Sequence, residues 1–109
     1  MSFDGTEAEQ ITLVEAAELT ANYRDAHPAA IKGEFFGKDI IQNILDQGAG
    51  GNACMGIRVY YGQANDGTPH LVMVGVTADE NDITSGILAE RARPCPPYCS
   101  NPNPLNSDA

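Results

Sequence analysis

At 109 residues and 11.6 kDa the chain has the length of one domain, enough to bury roughly 60 to 70% of the surface its unfolded form exposes. Six Lys and Arg against fifteen Asp and Glu leave a net charge of -9, spread along the chain, so nucleic-acid phosphates and anionic lipid surfaces are disfavoured partners. Trp is absent and Phe and Tyr total seven, which makes the expected core mostly aliphatic, and no apolar run has the length of a membrane span.

Residues 1–10 are polar and read as a flexible N-terminus. They carry neither a basic segment nor an apolar stretch of the kind that directs secretion, so the expected compartment is cytoplasmic. Thiols usually stay reduced there, and the three cysteines read as free thiols or ligands before a disulfide framework.

A helix is expected from Thr12, because Thr12-Leu-Val-Glu15 has the spacing of a capping box. Leu13, Ala16, Ala17, Thr20 and Tyr23 recur at helical spacing and form the expected inner face, with Glu15, Glu18, Asn22 and Asp25 on the wet side. His27-Pro28 ends the helix, since the residue before proline is pushed out of the α region.

Ala29 to Phe36 fits either a short extended segment or a loop delivering Phe35 and Phe36 into the core, and Gly33 and Gly37 favour the loop. A second helix follows over Lys38 to Gln47, with Ile40, Ile41, Ile44 and Leu45 as an apolar stripe and Phe36 placed to staple against it. Gly48-Ala-Gly-Gly-Asn52 stops it. That glycine run follows a helix and lacks the lysine of a phosphate loop, so it is not read as one.

The strongest signal is a β-hairpin over 54–78, whose strands Cys54–Tyr61 and His70–Ala78 hold much of the β-branched and aromatic content. The connection contains the turn-forming pair Asp66-Gly67. Leu71 to Val76 is apolar on both faces, so the second strand needs cover on two sides. Asp79-Glu-Asn-Asp82 is a polar turn, and Ile83 to Arg93 fits a helix or a third strand. From Pro94 onward five prolines and three asparagines among sixteen residues make an irregular tail. The expected fold is α+β: a small antiparallel sheet built on the hairpin with two helices on one face, a single domain over 11–93, and the tail over 94–109.

Candidate chemistry is sparse. Cys95-Pro-Pro-Tyr-Cys99 holds two thiols four positions apart, able in principle to close on each other, to meet a metal, or to play a structural part. A zinc site would have to recruit Cys54 and His70 or His27, which are distant in sequence, so no metal ligands and no cofactor are assigned. The spacing is one residue longer than a thioredoxin motif and is proline-blocked. His27 and His70 read as surface or strand-end residues, the pairs Glu15/Glu18 and Asp79/Glu80/Asp82 as capping and turn residues, and the Asp79–Thr84 segment lacks the glycine and distal glutamate of a calcium loop. No catalytic residues are assigned.

Four stretches, Phe35-Phe-Gly-Lys-Asp-Ile-Ile, Gly56-Ile-Arg-Val-Tyr-Tyr-Gly62, Leu71-Val-Met-Val-Gly-Val-Thr-Ala with Asn81-Asp82, and Pro94-Cys-Pro-Pro-Tyr-Cys, together resemble a group of small uncharacterised bacterial proteins. The resemblance covers most of the chain from Ile11 on and implies a bacterial origin and a small domain, with no activity attached. The expected function is a non-enzymatic interaction module that contacts a protein partner or a second copy of itself as a homodimer. The alternative is a small enzyme or ligand-binding domain with a site between hairpin and tail. Arg58, Tyr60, Cys95, Tyr98 and Cys99 are the candidate ligand or interaction residues.

Overall fold

The computed structural model describes residues 2–108, and the fold is α+β, with two α-helices and five strands in two small antiparallel sheets. The elements are α1 (Leu13–Ala26), β1 (Gly33–Phe35), α2 (Lys38–Leu45), β2 (Cys54–Gln63), β3 (Pro69–Thr77), β4 (Leu88–Ala89) and β5 (Arg93–Cys95). The chain divides into two compact units. One joins the N-terminal segment, up to Glu7, to Phe36–Ala92, and the other joins Ala8–Phe35 to the chain from Arg93 onward.

The first unit is built on the hairpin. β2 and β3 pair antiparallel from Gly56↔Val76 to Gln63↔Pro69, and Asp66-Gly67 lies in the five-residue connection with Gly67 at φ +92°. The Asp66 carboxylate accepts from the Thr68 amide at 3.0 Å, which fixes the turn. A bulge between Cys54 and Gly56 precedes the regular ladder. The third strand, left open by the sequence pattern, is β4, only two residues long and paired with Met73 and Val74, so 83–93 is mostly irregular.

Directly paired residues share a face of an antiparallel sheet, so Ile57, Met73, Gly75 and Ala89 lie on one side. Here α2 packs: Ile44 is fully buried against Met73 and Ala89, with Phe36, Ile40, Ile41, Cys54, Ile57 and Ile87 around them. α2 ends at Leu45, two residues before the expected Gln47. Gln47 instead links elements, receiving the Cys54 amide on its backbone carbonyl and the Ile87 amide on Oε1 at 2.9 and 2.7 Å. The stop requires Gly48 in particular: its φ is +73°, and a Cβ would lie 2.1 Å from the Asn52 carbonyl oxygen.

The opposite face carries Arg58 and Tyr60 across from Val74 and Val72. Val74 and Val76 are buried there, so β3 is covered on both sides as its sequence required. The N-terminal segment expected to be flexible takes part: the Phe3 amide donates to the Ala78 carbonyl at 2.9 Å, and the Phe3 ring lies 5.8 Å from the Arg58 guanidinium carbon. Asp4 caps the turn that follows by accepting from the Thr6 hydroxyl and amide, bonds that hold its carboxyl below the usual range.

In the second unit, α1 starts as expected, with the Glu15 amide donating to Thr12 Oγ1 at 3.1 Å, and ends at His27. Its inner face differs from expectation. Ala16, Ala17, Thr20, Ala21 and Arg24 are half-buried, whereas Leu13 and Tyr23 are exposed along with Val14 and Leu19. The helix turns its small side chains inward because Arg24, one turn beyond Thr20, is the residue with partners to reach. Gly33–Phe35, read as a loop, is the strand β1, which pairs with β5 in the register Gly33↔Cys95, Glu34↔Pro94, Phe35↔Arg93. Phe35 therefore points to solvent at 66% exposure, and only Phe36 reaches a core.

The remainder of the tail is irregular but tied down. Arg24 donates to the carbonyls of Leu105 and Ser107 at 2.9 and 3.0 Å and pairs with Asp108 at 3.2 Å, and Lys32 Nζ donates to the Asn106 carbonyl at 2.8 Å. Asn103 and Asn106 satisfy local backbone groups by Asx-type bonds.

Candidate functional site

The five candidate residues fall into two groups in different units. Arg58 and Tyr60 alternate on β2, and the residue that joins them is Asp82, which the sequence pattern assigned to a turn. Arg58 Nη1 donates to Asp82 Oδ1 at 2.6 Å and more loosely to the Glu80 carbonyl at 3.5 Å, while the Tyr60 hydroxyl donates to Asp82 Oδ2. An isolated bridge between Val76 and Asp82 sets the carboxylate beside the Arg58/Tyr60 face of the sheet.

The electrostatics follow from this geometry. The Tyr60 hydroxyl and then the Arg58 guanidinium hold the Asp82 carboxyl below its usual range, and the carboxylate in turn pushes the Arg58 pKa up. At neutral pH Asp82 is an ionised acceptor with both oxygens engaged, so it serves neither as a proton donor nor as a free base. The cluster fastens the 79–82 turn to the sheet. The signal for it was the i, i+2 spacing of Arg58 and Tyr60, but the partner lies 22 residues beyond Tyr60 and depends on the register of β3.

The second group is a disulfide. Cys95 and Cys99 are bonded to each other, with Cα atoms 4.7 Å apart, and Cys54 is the free thiol. Of the possibilities left open for this pair the disulfide is the one found, so only Cys54 keeps the free-thiol reading that the expected compartment suggested for the three cysteines. Tyr98 is exposed, and the Arg93 guanidinium carbon lies 5.9 Å from its ring centroid, so Arg93 joins the group although sequence reasoning passed over it.

The histidines lie apart from both groups. His27 stacks on Tyr23 with ring centroids 4.3 Å apart, and His70 Nδ1 is 3.2 Å from Glu90 Oε1, joining the start of β3 to the end of β4. Among the described residues no three His, Cys, Asp or Glu side chains converge as metal ligands, and no helix is long and apolar enough to cross a membrane. No protein-family model, curated protein or solved structure matches the chain.

Proposed function

We propose that the protein is a non-enzymatic interaction module that self-associates through the outer edge of β2. The observation that carries this reading is the state of that strand. β2 is ten residues long and, among the described residues, pairs only with β3, while Val59, Tyr60 and Tyr61 on it are 46, 46 and 94% exposed. An unpaired strand edge bearing large apolar side chains and no proline is a template for a further strand.

Charge selects the occupant. The longest stretch of the chain without Asp or Glu, between Asp46 and Asp66, is the one containing β2. A second copy presents the same neutral edge. Antiparallel pairing across a two-fold axis through Tyr60 sets Tyr60 against its own copy, Val59 against Tyr61 and Arg58 against Gly62, with no like charges opposed. The net charges of the two copies still repel, and salt screens that repulsion beyond roughly 8 Å at physiological strength.

Sedimentation of the full chain at micromolar concentration tests the reading. The expected result is a species heavier than the 11.6 kDa chain, favoured by added salt and lost in Tyr61→Asp, whose side chain stands almost wholly in solvent. A single monomeric species at every salt concentration overturns it.

A further inference from the structure

We infer that the Cys95–Cys99 disulfide is a reversible thiol–disulfide exchange site that accepts a small monothiol of the glutathione class. Three features of the second unit lead there, none of which bears on the proposed interaction edge.

The first is access. Pro96 through Ser100 are exposed, including Cys99, whereas Cys95 is half-buried. The residue directly across from Cys95 on β1 is Gly33, where even a Cβ would meet nothing within 4 Å. Exposure thus favours attack at Cys99 Sγ over Cys95 Sγ, with Cys95 as the leaving sulfur.

The second is charge. Arg93 and Cys95 are two residues apart on β5 and so share a face, which they also share with Gly33 and Phe35 of β1. The carboxylate of that short sheet, Glu34, sits opposite Pro94 on the other face. In an otherwise acidic chain, the register thus places a guanidinium and no paired carboxylate on the side of the sulfur. A neighbouring cation favours the thiolate form and attracts an anionic thiol.

The third is that backbone hydrogen bonds hold the loop alongside its disulfide. The Lys32 amide donates to the Cys95 carbonyl at 2.7 Å, the Tyr98 amide to the Pro94 carbonyl at 2.8 Å, and the Cys99 amide to the Pro97 carbonyl at 3.0 Å. None of these bonds involves a sulfur, so reduction of the disulfide removes none of them, and they favour reclosure of the dithiol.

The step balances without a further reactant. A glutathione-class thiol gives its proton to water, its thiolate attacks Cys99 Sγ as the Cys95–Cys99 bond breaks, a mixed disulfide forms on Cys99, and Cys95 leaves as a thiolate that takes up a proton from water. A second thiolate attacks the external sulfur of the mixed disulfide and frees Cys99. Two low-molecular thiols are oxidised to their disulfide while the protein disulfide is reduced to a dithiol, and the oxidised low-molecular disulfide reverses both steps.

The test uses the native full chain, equilibrated with mixtures of reduced and oxidised glutathione at neutral pH, quenched with an alkylating agent and read by intact and peptide mass. The expected outcome is one reduced-to-oxidised ratio reached from both directions. Cys95→Ser should accumulate glutathione on Cys99, Cys54→Ser should leave the ratio unchanged, and Arg93→Gln should slow exchange by about threefold or more. Resistance of the wild-type native disulfide to glutathione, with reduction only after denaturation, would make it a structural staple and overturn the inference. So would a mixed disulfide that forms on Cys95 in the wild-type chain.

Discussion

The two units of this chain are held in different ways. In the unit built on β2 and β3, cohesion comes from apolar burial: α2 inserts Ile44 against Met73 and Ala89, and β3 is covered on both faces. In the unit containing α1, β1 and β5, no residue of the helix is fully buried, and the tail is held by Arg24 and Lys32 donating to main-chain carbonyls and by a disulfide. A small unit that cannot bury enough surface gains its order from cross-links and charge-assisted hydrogen bonds. The first kind of cohesion is spread over many contacts and fails globally, while the second fails bond by bond.

Ile44→Ala should give the largest effect, because it deletes a fully buried side chain at the centre of the apolar cluster. The expected loss is about 2 to 5 kcal/mol in denaturant unfolding, with Ile41→Ala, whose side chain is only half-buried, costing less. A loss below about 1 kcal/mol for Ile44→Ala would contradict the packing described for α2.

Arg24→Ala sharpens the contrast from the other side. It removes the donor of three contacts to residues 105–108, so about 1 to 3 kcal/mol of local stability should go. The amides of Asn106 and Ser107, both donated to the Asn103 carbonyl, should then exchange roughly five- to a hundredfold faster, with the amides of β2 and β3 unchanged. Equal acceleration in β3 would mean that the tail and the hairpin open together and that the comparison fails.

The same division explains what was legible beforehand. The Thr12 cap, the Ile40/Ile41/Ile44 stripe, the Asp66-Gly67 turn and the two-faced burial of β3 are periodic or local, and each was readable from spacing alone. What was missed depends on partners far along the chain. Phe35 follows a loop-like glycine, and only the pairing with Arg93 makes its segment a strand. Leu13 and Tyr23 have the better apolar credentials on α1, but Arg24 and its carbonyl partners about eighty residues later set which side faces in. Asp82 looked like a turn residue because the register that carries it to Arg58 and Tyr60 appears only once the sheet is formed. The candidate residues were therefore individually identified, while their third members, Asp82 and Arg93, were not.

The smallest expected effect concerns that half-exposed cluster and is best read through pH. The Asp82 carboxyl titrates below its usual value in the folded protein because Tyr60 and Arg58 stabilise the charged form. A carboxyl with a depressed folded pKa stabilises the protein in full above its unfolded value, near 3.9, and that contribution disappears as pH falls through the folded value. Wild type should thus unfold at a higher temperature than Asp82→Asn at pH 7, and the two should converge as pH drops from about 5 toward 3. Asp4 and Asp66 are shifted the same way by Thr6 and Thr68, but both are present in each protein, so the difference between the two curves isolates Asp82. Tyr60→Phe should close part of the same gap by removing the hydroxyl that contributes most to the shift. Curves for wild type and Asp82→Asn that run parallel across this range would show that the charge on Asp82 does not fasten the 79–82 turn to the sheet.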